Sequence, residues 1–189
     1  MKKKGLIILV AVIAIIGLLA GFVAGSYNKF VDREEALSRA QSEVQNQLQR
    51  RADLIPNFVN TVKGYSDYES STFQAVTEAR SKVADADDVE ETEEASNELN
   101  SAISVWVNAV TEAYPELKAD AQYRALQDEL AGTESRIATA RRDYNKVAES
   151  YNKSVRRFPG SIMAAIFDFE KADYFEATEG ASNVPQVTF

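Results

Sequence analysis

The first 25 residues contain the feature that most restricts what this chain can fold into. Residues 5–25, GLIILVAVIAIIGLLAGFVAG, hold no charged side chain. As an α-helix this segment would span about 31 Å, the thickness of the hydrocarbon core of a bilayer. The alternative, a cleaved signal peptide, has a shorter apolar region of about 7–15 residues. We therefore predict that residues 1–26 form a retained membrane anchor.

The charges on either side of the apolar run predict how the chain is oriented. A compact cluster, KKK at residues 2–4, precedes the run, whereas Lys29, Arg33 and Arg39 are spread over a longer stretch beyond it. Short segments rich in lysine and arginine tend to remain in the cytoplasm. This asymmetry favours a cytoplasmic N-terminus, with the rest of the chain on the outer side of the cytoplasmic membrane.

Three glycines within the apolar run indicate a packing surface on the anchor. Gly17, Gly21 and Gly25 recur at every fourth position. Small residues at this spacing let two membrane helices approach closely, which would favour a homodimer formed through the anchor. The alternative is that glycine is simply common in membrane helices.

Composition excludes several classes of activity. The chain has no cysteine and no histidine, which rules out disulfides, the usual zinc sites and histidine-based catalytic triads. The cluster at residues 2–4 holds three of the 21 basic residues, so 18 basic residues face 29 acidic ones in the rest of the chain, a net charge of −11. Such an acidic domain would be repelled by phosphates, and we predict that it does not bind nucleic acid.

An acidic run in the middle of the chain has two interpretations. Residues 84–95, ADADDVEETEEA, carry no basic side chain. A calcium loop is one interpretation, but the glycine and the ligand spacing of an EF-hand are missing. Acidic residues also favour the first turn of a helix. We therefore expect a loop followed by a helix start, and no metal or cofactor.

Residues 27–170 are predicted to form a helical domain, because their apolar residues recur with a period close to 3.6. The first apolar stripe passes Pro56, which lies beside it and is expected to kink the helix without interrupting the stripe. Three further stripes follow. The members of the four stripes are Val44, Leu48, Ile55, Phe58, Val62 and Tyr65; Phe73, Val76 and Val83; Leu99, Ile103, Trp106 and Val110; and Tyr123, Leu130, Ile137, Tyr144, Tyr151 and Phe158.

Breaker residues predict where the helices end. Gly64 leaves two alternatives open, a helix that stops there or one that continues to about Val83. Pro115 and the sequence Phe-Pro-Gly at 158–160 predict the ends of the two later helices. Residues 171–189 are expected to form an extended tail.

Charged residues interrupt the apolar stripes. One interpretation places them at the edges, where their stems cover apolar surface and their charges reach water. The other is an interior polar layer in which Glu134 pairs with an arginine of a neighbouring helix and fixes the helix register. In that case Glu134→Ala would cost roughly 3–5 kcal/mol. The candidate residues of this layer are Arg51, Arg80, Glu134 and Arg141, joined by Glu69 if the first helix continues past Gly64.

Several motifs follow one another along nearly the whole chain. They are YNKFV, QLQRRADLIPNFVNTVKGY, VTEAR, AYPELKAD, LQDELAGTESRIATARRDYN, YN-x3-RRFPGS and YFEATEGASNVPQVTF. In this order they resemble the LemA family of bacterial membrane-anchored proteins. The resemblance implies an all-α fold, an up-and-down antiparallel four-helix bundle of long helices behind one membrane-spanning helix. It implies no catalytic residues.

The leading functional prediction is a non-enzymatic structural or interaction protein of the bacterial envelope, with unidentified envelope proteins as partners. It follows from the anchor, the long helices and the absence of an acid–base pair, a phosphate-binding loop or metal-ligand spacing from the sequence. An enzyme without a recognisable motif is the least favoured alternative.

A second alternative is a sensor of anionic lipid or of another ligand. Residues 141–157 form a basic segment in an acidic chain. If this helix runs back toward the bilayer, each basic residue near the surface could contribute about 1 kcal/mol of attraction to anionic headgroups. Cations that stabilise a helix C-terminus are the competing explanation. The basic residues are Arg141, Arg142, Lys146, Lys153, Arg156 and Arg157.

Overall fold

The computed structural model describes residues 2–63 and 71–176. The regular elements in these two ranges are helical, without a β-strand, which confirms the all-α prediction. They are α1 (Lys2–Lys63), α2 (Ser71–Asp85), α3 (Val89–Ala113), a 3₁₀ helix (Pro115–Ala119), α4 (Ala121–Arg156) and α5 (Gly160–Phe167).

The chain divides into two compact units. The first unit comprises Met1–Arg39 and Lys146–Ala172, and the second comprises Ala40–Asn145 and Asp173–Phe189. The long helices α1 and α4 therefore contribute residues to both. The predicted division into an anchor, a helical domain and a tail is a different one from this division by contacts, and it stays a prediction.

The apolar stripes form the core of the second unit. The ring of Phe58 lies 5.4 Å from that of Trp106 and 5.0 Å from that of Tyr123, both in edge-to-face geometry. Full burial of such a side chain is worth about 1.5–3 kcal/mol. The buried stripe residues of this unit are Val44, Leu48, Ile55, Phe58, Val62, Val76, Val83, Leu99, Ile103, Trp106, Val110, Tyr123, Leu130, Ile137 and Tyr144.

Helices α1 and α4 run antiparallel in the second unit. Phe58 of α1 meets Tyr123 of α4, whereas Arg51, two turns earlier in α1, meets Glu134, three turns later in α4. The helix continues through Pro56, as predicted, because the apolar stripe beside the proline stays packed on both sides of it.

The first unit has its own apolar cluster. Phe30, Tyr151, Met163 and Ala164 are buried together, and the partly buried Val23, Leu37, Val155, Phe169 and Ala172 pack around them. The rings of Phe30 and Phe169 stack at 4.9 Å. This cluster holds α5 against α1 at the end of the apolar run.

Local chemistry explains the helix boundaries. The carboxylate of Asp88 accepts a hydrogen bond of 2.8 Å from the backbone N–H of Glu91, which caps the start of α3. The acidic run thus begins in the last turn of α2 and continues as the predicted short loop and helix start. Helix α3 ends at Ala113, before Pro115. Gly160 opens α5, where any larger residue would collide with the carbonyl oxygen of Ser154.

The prediction that Phe158 belongs to the buried stripe is wrong, and some other predictions concern residues outside the described ranges. Phe158 continues the heptad in the sequence, but α4 ends at Arg156 and the ring is 81% exposed. The predictions for Gly64, Tyr65 and Glu69, and for the part of the tail after Glu176, lie outside the described residues.

Candidate functional sites

Arg51 and Glu134 form an ion pair between α1 and α4 in the second unit. The Nη1 atom of Arg51 donates to Oε2 of Glu134. The side chain of Arg51 is 8% exposed and that of Glu134 is 51% exposed, so the pair lies at the edge of the core with the cation inside. Burial lowers the pKa of Arg51 to about 10, and the guanidinium therefore remains charged at neutral pH.

Arg80 and Arg141, the other arginines of the predicted polar layer, have different partners. Arg80 lies 3.3 Å from Asp53, with both side chains largely exposed. Arg141 is more buried, 4.0 Å from Glu93 and with its guanidinium 5.2 Å from the ring centroid of Phe175.

Burial lowers the pKa of Arg141, and the nearby Glu93 opposes that shift. Within the described part of the chain, the structure thus brings Arg51 and Glu134 together but leaves Arg80 and Arg141 in separate pairs. The role of these residues in setting the helix register stays a prediction.

The glycines of the apolar run lie on open helix surface. A Cβ atom added at Gly17, Gly21 or Gly25 would meet nothing within 4 Å. The run is part of α1, and α1 is long and apolar enough to cross a membrane. Packing of two anchors through these glycines stays a prediction.

Two asparagines hold the segment that follows α5. In the first unit, Asn152 Nδ2 donates to the carbonyl of Ala172 at 2.8 Å, and the N–H of Ala172 donates to Asn152 Oδ1 at 2.8 Å. The side-chain amide thereby satisfies both backbone groups of one residue, as a neighbouring β-strand would.

The same arrangement occurs in the second unit. Asn145 Nδ2 donates to the carbonyl of Phe175 at 2.8 Å, and the N–H of Phe175 donates to Asn145 Oδ1 at 3.0 Å. The hydroxyl of Tyr144 donates to the carbonyl of Asp173 at 3.1 Å. Burial raises the pKa of Tyr144 to about 12, so the hydroxyl remains a donor.

We call these two arrangements, in which the side-chain amide of Asn145 or Asn152 holds one backbone residue, the asparagine clamps. The sequence analysis did not predict them, although a repeated triplet in the sequence indicates them. The triplet YNK occurs at residues 144–146 and again at 151–153. Heptad spacing alone explains why both tyrosines face the core, but it does not explain why an asparagine follows each of them. A heptad of α-helix rises about 10.5 Å, and three residues of extended chain cover about 10 Å. Asparagines seven residues apart therefore match backbone groups three residues apart.

A basic groove lies in the first unit, next to the end of the apolar run. Lys29 and Arg33 of α1 and Lys153 and Arg157 of α4 line its volume of about 360 Å³, and no carboxylate is among its lining residues in the described chain. The Nη1 atom of Arg33 donates to the carbonyl of Ser150 at 3.3 Å, which fixes α1 and α4 side by side at this point.

Only part of the basic segment at residues 141–157 lines this groove, and a role for the segment in lipid binding stays a prediction. Of its cations, Lys153 and Arg157 line the groove, and Lys153 also pairs with Glu149. Arg141 meets Glu93 instead, and Arg142 donates to Thr139 of its own helix at 2.9 Å. The contribution of α1 was missed because more than 100 residues of chain separate its two cations from those of α4.

These features define a class of protein: the regular elements of the described residues are helical, and the N-terminal helix is long and apolar enough to cross a membrane. The family model of the LemA family matches residues 40–189, and the chain belongs to that family.

Relatives from three bacteria support the assignment. Protein LemA of Metamycoplasma hominis is 31% identical over 163 residues, covering 81% of this chain and 73% of the relative. Magnetosome protein MamQ 2 of Paramagnetospirillum magneticum is 24% identical over 207 residues, covering 96% and 75%. Magnetosome protein MamQ of Magnetospirillum gryphiswaldense is 25% identical over 187 residues, covering 86% and 68%.

Proposed function

We propose that this protein is a non-enzymatic, membrane-anchored structural or interaction protein of the bacterial envelope. The observation that carries the proposal is the continuity of α1, which runs from Lys2 to Lys63. The same helix contains the apolar run and, from Val44 to Val62, the first buried stripe of the second unit. With no loop between them, the helix that enters the membrane is also the helix on which the core is built.

The side-chain contacts support a structural role over a catalytic one. The ion pair of Arg51 with Glu134 joins α1 to α4, and the side chains of Asn145 and Asn152 hold the segment after α5. Each of these groups is used in packing. The names of the relatives refer to a family or to the magnetosome and specify no reaction.

We further propose that the N-terminus is cytoplasmic and the helical domain lies on the outer side of the cytoplasmic membrane. Because the chain has no native cysteine, single cysteines report topology without background. A membrane-impermeant maleimide applied to intact spheroplasts should label Ser135→Cys, an exposed position of α4, and should label Lys2→Cys only after permeabilisation. The reverse pattern would show that the orientation is inverted.

An interaction role also predicts that specific envelope proteins contact this protein in the cell. Val105 of α3 is 57% exposed, whereas Leu99, Ile103 and Trp106 of the same helix are buried. A photo-crosslinking amino acid at this position should yield defined adducts with envelope proteins. The matched control is Gln122, an exposed polar position of α4. The absence of adducts at Val105 at native expression levels, or the same adducts at Val105 and Gln122, would contradict a specific interaction through this surface.

A further inference from the structure

We infer that the basic groove of the first unit binds the phosphate headgroup of an anionic phospholipid in the membrane that α1 enters. The first observation is its charge. Two cations from α1 and two from α4 converge on one groove, in a chain whose net charge is −8. Its lining residues in the described part of the chain include no carboxylate, and Lys153 alone of the four cations pairs with a glutamate, Glu149. Its volume of about 360 Å³ is in the range of pockets that hold small ligands, about 300–1,000 Å³.

The second observation is the position of the groove along α1. The apolar run ends at Gly25, and a helix rises about 1.5 Å per residue. Lys29 therefore lies about 6 Å beyond the hydrocarbon and Arg33 about 12 Å, while the headgroup layer is about 5–7 Å thick. Side chains of a helix lean toward its N-terminus. Lys29 accordingly lies at the level of the lipid phosphates, and Arg33, one turn further out, leans back toward them.

The third observation is the exposed apolar surface of α5. Met163 and Ala164 face the cluster around Phe30, which also includes Val23 of the apolar run. This contact holds α5 at the level where α1 leaves the membrane. On the other side of the segment, Phe158, Ile162 and Ile166 are 81%, 48% and 62% exposed. Apolar side chains presented in this way insert between lipid headgroups and the start of the acyl chains.

A simpler explanation of the cations accounts for only half of them. Lys153 and Arg157 are at the C-terminal end of α4, where cations stabilise the helix dipole. That explanation does not apply to Lys29 and Arg33, which lie in the middle of α1 and reach the same groove. A bound phosphodiester would be contacted from both helices.

This inference rests on the membrane anchorage of the proposed function, and the two are tested separately. The full chain is reconstituted into phosphatidylcholine vesicles, and flotation that resists alkaline extraction shows anchorage. Ala165→Cys, an exposed position of α5, then carries a fluorescent donor. Separate samples contain a trace of phosphatidylglycerol or of phosphatidylcholine, each carrying the same fluorescent acceptor on an acyl chain. Energy transfer from the donor to each acceptor then measures which lipid accumulates beside α5.

With the four groove cations unchanged, we expect more energy transfer to the phosphatidylglycerol probe than to the phosphatidylcholine probe. Each cation removed should lower the enrichment about fivefold. Lys29→Gln/Arg157→Gln should therefore abolish the preference, and Lys29→Arg/Arg157→Lys should retain it. The matched control is Arg156→Gln/Lys171→Gln, which removes the same charge from exposed positions of the same unit outside the groove. It should retain the preference.

Three results would overturn the inference. One is equal transfer to both probes in vesicles that contain the anchored protein. Another is an equal loss in the groove variant and in the matched control, which would indicate general electrostatic attraction. The third is loss of the preference when inorganic phosphate replaces another salt at constant ionic strength, which would assign the groove to a soluble phosphate.

Discussion

Glu134→Ala is expected to lower the free energy of unfolding of the second unit by about 2–3 kcal/mol. The substitution leaves the buried guanidinium of Arg51 without its carboxylate, and its Nε already has no hydrogen-bond partner among the described residues. Removing one partner of a fully buried pair costs about 3–5 kcal/mol. The expected loss is smaller because Glu134 is half exposed, so water can replace part of the lost contact.

The opposite substitution should be much less damaging. Arg51→Met removes the buried cation and leaves only an exposed carboxylate, so we expect a change within about 1 kcal/mol. Arg51→Met/Glu134→Leu should recover most of the stability lost in Glu134→Ala. Trp106 is the only tryptophan, and it is buried in the second unit, so its fluorescence during urea titration in detergent reports this unit.

Glu129 of α4 provides the control for this asymmetry. Its carboxylate pairs with Arg50 and Arg136, both partly exposed, and its pKa is lowered chiefly by the hydrogen bond from Arg50. Glu129→Ala strands no buried charge and should have a clearly smaller effect. Equal losses in Glu129→Ala and Glu134→Ala would contradict the role of burial.

The stripes were predictable because burial of apolar residues dominates the choice of helix face. Leu48, Ile55 and Phe58 recur at steps of three and four, and no other helix rotation would remove all of them from water. The same logic places Arg51 in the core, since it occupies the same row. Periodicity does not show which carboxylate it meets, because that depends on how α1 and α4 are aligned along their length.

The clamps and the groove were not predictable from periodicity, for a related physical reason. Asn145 and Asn152 form hydrogen bonds with the backbone of residues 30 and 20 positions away in the sequence. The position of a polar side chain on a helix does not indicate which distant residue it will contact. In the sequence, Lys29 and Arg33 resemble ordinary charges that flank a membrane helix. The groove forms only because α4 packs beside this part of α1. Phe158 was misplaced because a heptad continues in the sequence even after the helix has ended.

The second large effect is expected from the asparagine clamps. Asn145→Ala/Asn152→Ala removes four hydrogen bonds that satisfy the backbone of Ala172 and Phe175. Each such bond is worth about 1 kcal/mol net. We therefore expect the segment after α5 to detach, with a combined loss of about 3–4 kcal/mol. Detachment would also expose the ring of Phe175, which is 4% exposed in the intact protein.

Hydrogen exchange of the amides of Ala172 and Phe175 measures this directly, because both donate to the asparagine side chains. Their protection should fall by more than tenfold in the double variant, which corresponds to over about 1.4 kcal/mol of local stability. Asn152→Asp retains the acceptor but places a carboxylate against the carbonyl of Ala172, so it should expose that residue at least as much as alanine does. Asn60→Ala, at an exposed position of α1, is the control and should leave both amides protected. Unchanged exchange in the double variant would mean that the ring of Phe175, packed 5.0 Å from that of Tyr144, holds the segment without the asparagines.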